Sequence, residues 1–516
     1  MVLKLKGFEN ERFWLVLLVA LSAAVRIFFL LKYEIMPGFA PGNVVGALFV
    51  FENPSLRFNF DAGTSTLYRY AVASFLYFWR DPVLAPRVFT VLFGIFLVIP
   101  YYGTLKVLFG RAVAFFSSLV LVFYPMHVVQ SSVTTSEAPY YFFLFGSLYY
   151  LFSYKSGRKW FPALLLSAFS FNIVSLLRFE SWIFIPIFFL LLWPKGKGEA
   201  FLFLFLSILF PCAHLAICRH YYGDGDALLS FSIAFKTGQA SVLAGRFSYD
   251  IRLWSWLAIL WRCLGSSLVV GGFLGMVLAF LIRQKRQFAV FFLVLFLSFT
   301  ASACSARTVV GDRYSIILGL FLIPYAGFFA EQVVAFLKGR KKMLLGLFLV
   351  FPAVNFFQVT RNAPVVLGEI FVVVPPEINA LGAWLKEKVR PDEVIVIGAD
   401  RYDSWQNALA LLSGVSPQRC LVITTPISGR GAIENKEELE KFFLDHRTRY
   451  LVSSSDGYLQ GILNLDLNKK KQSIGSVVFE TVFEQMAPAV EKYIIYKISY
   501  REPAGSKKNG GSEVAR

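Results

Sequence analysis

The residues most able to do chemistry lie in the stretch 109–145, FGRAVAFFSSLVLVFYPMHVVQSSVTTSEAPYYFFLF. An apolar run climbs from Arg111, stops at Pro125, crosses a short polar tract carrying Glu137 and enters a second apolar, aromatic run. A single carboxylate between two apolar helices either belongs to a solvated loop or faces a protein-lined cavity. At membrane depth the second arrangement marks a functional group, because an ionised acid facing lipid costs several kcal/mol. Other charged and polar residues gather at equivalent positions: Arg178 two residues before Glu180 in LLRFESW, Arg307, Arg313 and Tyr314 in SARTVVGDRYS, and Glu34 and Asp61 in the long loop after the first apolar run. Fixed cations beside carboxylates suit a phosphate at headgroup level, since guanidinium groups match phosphate oxygens in geometry and charge. Ion pairing of Arg178 with Glu180, or of Arg313 with Asp312, and anchoring of a helix end by Arg313 and Tyr314 are the structural alternatives.

The elements that carry these residues are membrane helices. The chain is 56% hydrophobic, 17% aromatic and only 16% charged, with mean hydropathy +0.59, which excludes an ordinary soluble protein. Its net charge of +18 sits in short clusters between apolar runs, the pattern of cytoplasmic loops, so nucleic acid is not an expected partner. Apolar runs are expected to span at 13–32, 84–105, 112–131, 138–153, 160–177, 181–193, 200–218, 264–282, 288–304, 314–335 and 343–359, about eleven helices. Segments 43–51 and 66–79 read as interfacial helices in a first outer loop, 33–83, and 251–263 as another, given Trp254, Trp256 and Trp261. Every second short loop is basic: Lys106 and Arg111; Lys155, Arg158 and Lys159; Lys195 and Lys197; Arg283, Lys285 and Arg286; Lys338, Arg340, Lys341 and Lys342. By the positive-inside rule the N-terminus is cytoplasmic and the acids named above are extracytoplasmic.

After residues 1–370 the character changes. Pro375 and Pro376 end the apolar run, and helix-like INALGAWLKEKV, DSWQNALALLSG and NKEELEKFFLDHRT alternate with strand-like VIVIGAD, RCLVITT and YLVSSS. This predicts a small, mostly parallel α/β domain over 371–500, closed by an antiparallel pair from SVVFETVFEQ and EKYIIYKISY. No glycine-rich phosphate loop accompanies these strands, so nucleotide binding is not expected. Residues 501–516 read as a disordered tail. Five scattered cysteines and four histidines give neither a disulfide framework nor metal-ligating spacing.

Taken in order, the first helix, the long outer loop with two interfacial helices, APRVFTVLFGIFLVIPYYGTLKVLFGR, YPMHVVQSS, the acid at Glu137, the LLRFESW turn, the DRYS segment and the appended α/β domain resemble the GT-C superfamily of membrane glycosyltransferases. The resemblance is to its family 39, which includes aminoarabinose transferases and protein mannosyltransferases. It implies transfer of a sugar from a polyprenyl-phosphate donor to a glycolipid, glycan or protein acceptor outside the cytoplasmic membrane, with inversion. It also implies that one carboxylate takes the acceptor's proton. The family contains both metal-dependent and metal-independent members, so a divalent metal is a possible cofactor. The family's base lies just after the first helix, where this chain reads PGFAPGNVV without an acid. Glu34, with Asp61 further on, is the nearest substitute, and Glu137 matches the family's second acidic position. On the same resemblance Arg178, Glu180, Arg307, Arg313 and Tyr314 contact the donor phosphate or line its cavity. Two alternatives are a family member that binds the lipid-linked sugar without catalysis, and a transporter or flippase of lipid-linked glycans. The latter calls for repeated halves and charges within the spans.

Overall fold

The computed structural model describes residues 10–32, 40–52, 66–157, 161–222, 249–304, 315–336, 376–390, 392–398, 404–423, 433, 435–455, 458–487 and 491–501. Glu34, Asp61, Arg307, Arg313, Tyr314 and the expected span 343–359 lie outside the described residues. Two compact units emerge: one comprises Met1–Ile35 and Val50–Val372, the other Met36–Phe49 and Val373–Arg516.

The first unit is helical: α1 (Glu11–Lys32), then, after α2 (Ala40–Glu52), α3 (Thr66–Phe78), α4 (Leu84–Phe96), α5 (Val98–Phe109), α6 (Arg111–Val122), α7 (Pro125–Gln130), α8 (Glu137–Lys155), α9 (Phe161–Leu177), α10 (Phe184–Leu192), α11 (Lys197–Tyr222), α12 (Tyr249–Leu264), α13 (Ser266–Phe280), α14 (Arg283–Cys304) and α15 (Ser315–Phe336). Among the described residues, four stretches are long and apolar enough to cross a membrane: α1, α4 with α5, α11 and α15; α12 and α13 make a fifth if counted as one bent span. Several expected spans are interrupted. The run 112–131 is two helices, because a residue before proline is pushed out of the α region: Tyr124 is extended (φ −70°, ψ 107°), α6 has ended, and Pro125 starts α7 at a position where its missing N–H is no loss. The run 181–193 opens with a 3₁₀ turn, Phe179–Ile183, before α10. Helices α12 and α13 turn by 117° across Gly265, whose φ of +84° is a conformation glycine adopts without steric cost.

Phenyl rings knit the helices together. Phe291 of α14 stacks on Phe321 of α15 at 5.5 Å, and Phe145 of α8 and Phe184 of α10 lie 5.6 and 6.1 Å from Phe321. The Tyr101 hydroxyl donates to the Leu320 carbonyl at 3.0 Å, so this buried phenol has the partner that burial demands.

The second unit contains α16 (Pro376–Lys388), β1 (Ile395–Gly398), α17 (Ser404–Ser413), β2 (Cys420–Ile423), α18 (Lys436–His446), β3 (Tyr450–Ser454), α19 (Tyr458–Leu463), β4 (Lys471–Ile474), β5 (Val477–Ala487) and β6 (Glu491–Tyr500). The sheet runs β2-β1-β3-β6-β5-β4. Its first three strands are parallel and the rest antiparallel, so it is mixed rather than mostly parallel, and α19 and β4 were not expected. Both faces of β1 are covered: Ile395 and Ile397 join Leu381 and Leu385 of α16, whereas Val396 joins Leu439 and Phe443 of α18. Such double burial is what makes a parallel strand an unbroken apolar run. Val45 of α2 packs against the α16 side of this core.

Candidate functional site

Glu137 is the first residue of α8, where the exposed amides of a helix N-terminus favour negative charge. Arg178 follows the last residue of α9 in an extended conformation (φ −153°, ψ 125°), which turns its side chain out of the helical path. The contact between α8 and α9 brings them together: Arg178 Nη1 donates to Glu137 Oε1 at 2.6 Å, with side chains 14% and 3% exposed. The guanidinium carbon lies 5.9 Å from the Tyr140 ring centroid, and Tyr140 sits one turn along α8 from Glu137, on the same face. That burial rules out the solvated-loop reading of Glu137. It also gives Arg178 a carboxylate partner that sequence spacing did not indicate, since Glu180 is nearer in the chain.

The polar tract before Glu137 is buried as well. Ser131 and Ser132 each donate a side-chain hydroxyl to the Val128 carbonyl at 2.8 Å, and Thr135 donates to the Gln130 carbonyl at 3.0 Å. Serine and threonine hydroxyls thus serve carbonyls that would otherwise lack donors at the end of α7. Two further arginines support the turn. Arg87 of α4 donates to the carbonyls of Ser132 and Leu30, both at 3.1 Å. Arg26 of α1 is fully buried and donates to the hydroxyls of Ser22 (2.7 Å) and Ser131 (3.1 Å) and to His127 Nδ1 (2.6 Å). Gly94 makes room for them: a Cβ there would lie 2.3 Å from Ser131 Cβ and 3.1 Å from Arg26 Nε. Arg26 and Arg87 were missed in the sequence, although a lone cation inside the apolar run 13–31 is a readable signal.

Of the sequence candidates, Glu137 and Arg178 are brought together. Glu180 belongs to the 3₁₀ turn that follows Arg178. Glu34, Asp61, Arg307, Arg313 and Tyr314 lie outside the described residues. Among the described residues, no group of three or more His, Cys, Asp or Glu side chains could hold a metal.

No protein-family model and no curated protein sequence matches the chain. Solved structures do. ArnT from Cupriavidus metallidurans bound to undecaprenyl phosphate superposes with a TM-score of 0.65 at 12% identity, over 94% of this chain and 97% of that one. Its apo state gives 0.64 at 12%, over 95% and 98%. The chain has the fold that these two structures share. The oligosaccharyltransferase of Archaeoglobus fulgidus, in a complex with Zn and sulfate, extends the likeness: TM-score 0.59 and 11% identity, over 95% of this chain and 73% of that one. That shared fold, several apolar helices and a C-terminal sheet unit describe a multi-pass membrane protein.

Proposed function

We propose that this protein is a glycosyltransferase that moves a sugar from a polyprenyl-phosphate donor to a glycan, glycolipid or protein acceptor on the outer side of the cytoplasmic membrane. The observation that carries this reading is the buried Glu137–Arg178 pair at adjoining helix ends of a GT-C fold. Two relatives in fold support the donor class: ArnT was solved with undecaprenyl phosphate and the archaeal oligosaccharyltransferase AglB with a dolichol-phosphate. In this arrangement residues 1–370 form the membrane domain, with the N-terminus inside, and 371–500 an extracytoplasmic domain.

Arg178 Nη1 donates to Glu137 Oε1 at 2.6 Å. The carboxylate fixes the guanidinium, whose positive charge meets the donor's phosphate. As the acceptor oxygen attacks the anomeric carbon, the bond to the phosphate oxygen breaks and charge accumulates on the departing phosphate, where a prealigned cation stabilises it. The acceptor's proton passes to a carboxylate. Glu34 is assigned that role and Glu137 the alignment of Arg178, with Arg307, Arg313 and Tyr314 completing the phosphate site. Attack from the face opposite the leaving phosphate inverts the anomeric centre. A relative in fold was solved with Zn, which keeps a divalent metal as a candidate cofactor, although no group of three or more ligand side chains among the described residues could hold one.

The test is transfer of radiolabelled sugar from polyprenyl-phosphate donors by membranes carrying the wild type, Glu34→Gln, Glu137→Gln or Arg178→Lys. Loss in Glu34→Gln supports it as base, whereas loss in Glu137→Gln alone moves that role to the later acid. Wild-type protein that binds the lipid but transfers nothing from any donor would leave a binding protein instead.

A further inference from the structure

Helix α7 carries two polar side chains that the proposed mechanism does not use. Gln130 is fully buried, and neither its Oε1 nor its Nε2 has a hydrogen-bond partner among the described residues. His127, three residues earlier and so on the same face of α7, is also fully buried, and its Nε2 has none either. The protonation of that ring follows from its neighbour. An arginine can only donate, so His127 Nδ1, 2.6 Å from Arg26 Nη2, is the acceptor and the ring proton sits on Nε2. Arg26 thereby fixes His127 as an outward donor and polarises it. A polar group buried without a partner is costly, and three such atoms on one short helix make the cost substantial.

Their surroundings tie them to the ion pair. The His127 ring lies 6.1 Å from the ring of Tyr141, and Tyr141 is one turn along α8 from Glu137. On the other side, Gln130 opens the turn 131–136, which runs into Glu137. We propose that His127 Nε2 and the Gln130 carboxamide form a recognition subsite for the hydroxyl groups of the transferred sugar. This rests on the glycosyltransferase reading and assigns the part of the donor which that reading left without contacts. The chemistry favours hydroxyls. A hydroxyl both donates and accepts, so it satisfies the two ends of the carboxamide and the imidazole N–H, whereas an anion leaves Gln130 Oε1 facing like charge. Both groups are closed to solvent, and the turn beside them is held by the hydroxyl bonds of Ser131, Ser132 and Thr135 and by Arg87 rather than by a helical ladder. Movement of that turn admits the sugar, which then meets donors already stripped of water.

The experiment compares Gln130→Met and Gln130→Leu with wild type in the full-length protein in lipid nanodiscs. Binding is measured for bare undecaprenyl phosphate and for undecaprenyl phosphate bearing a hexose or a pentose, and thermal unfolding is followed in parallel. The wild type is expected to bind one sugar-bearing lipid about tenfold more tightly than the bare lipid, roughly the weight of one good hydrogen bond. Both variants should lose that preference, bind the bare lipid unchanged and unfold at a higher temperature, because an apolar side chain removes an unpaired polar group. Preference retained in both variants overturns the subsite and leaves the glycosyltransferase reading standing. So does a lower unfolding temperature in both, which means the carboxamide is already satisfied in the folded protein, and so does weakened binding of the bare lipid, which makes Gln130 a phosphate contact. Wild-type protein that binds none of these lipids sinks the donor reading itself, and the subsite with it.

Discussion

Breaking the Glu137–Arg178 pair tests the site most directly. With Nη1 and Oε1 at 2.6 Å, the two charge centres lie about 4 Å apart, and at an effective dielectric near 20 their attraction is about 4 kcal/mol. Both charges lost hydration on burial, so the net value of the pair is smaller, but removing one partner strands the other. Glu137 is the more deeply buried, its side chain 3% exposed against 14% for Arg178. Arg178→Met, which takes the neighbouring cation from the more deeply buried carboxylate, should therefore cost more, about 3–5 kcal/mol. Glu137→Gln keeps an acceptor for the guanidinium and leaves a cation with some access to solvent, so about 2 kcal/mol is expected, near the value of a charged hydrogen bond. The double variant should cost about 2 kcal/mol less than the sum of the singles, because the second change removes the charge stranded by the first. Reversible unfolding by SDS titration in mixed micelles measures all three. Costs that add to within about 0.5 kcal/mol would refute the pair as an energetic unit, and with it the argument that Glu137 aligns Arg178.

Other predictions concern packing, capping and pH. A Cβ on Gly275 of α13 would sit 1.9 Å from the Tyr325 carbonyl oxygen, a backbone atom of α15 that cannot swing aside; Gly275→Ala should cost about 1–3 kcal/mol of overpacking, read by the same titration. Gly94→Ala should likewise weaken the approach of α4 to Arg26 and Ser131, seen as faster hydrogen exchange in α7. Asn435 caps α18 by accepting the Glu438 amide at 2.8 Å, and Asn435→Ala should cost about 1 kcal/mol, with exchange rising in the first turn of α18. In the sheet unit, the Ser476 amide and hydroxyl both donate to Glu440 Oε1, at 2.8 and 2.7 Å, and hold its carboxyl below the usual carboxylate range. A depressed acid stabilises the fold above its unfolded pKa, near 4.3, and that contribution fades as pH falls through the lower folded value. Protection at the β4–β5 turn should therefore drop on acidification below about pH 4 in the wild type and be insensitive to acid there in Glu440→Gln.

Much of the fold was legible because burial leaves a period in the sequence. The apolar runs gave most of the helices, and the strand-helix alternation after Pro376 gave β1, β2 and β3, whose apolar stretches IVI, CLVI and YLV stand out in the sequence. The element β4 was illegible for the same reason: KQSI is polar at an edge, alternating exposed and half-buried, and carries no apolar signal. In the site, Glu137 and Arg178 stood out as ionisable residues at helix ends, but their pairing did not, since it depends on which helices pack together over 41 residues of separation. Arg26 and Gln130 were harder still. One looks like a stray charge and the other like a loop residue, until α1, α4 and α7 close around them.

Helix α2 has a consequence for how the molecule is made. Its stretch up to Phe49 groups with the sheet unit, and Val45 rests on a core built from residues 378–495. Synthesis runs from the N-terminus, and early segments ordinarily fold as they emerge. Here α2 leaves the ribosome near the start of translation, while the strands and helices it packs against leave near the end. For most of synthesis an apolar face waits for a partner that does not yet exist, and such long-range closure is slow. The α/β unit is thus no tail to be trimmed at the last membrane helix: a chain stopped there would hold half of an unfinished joint.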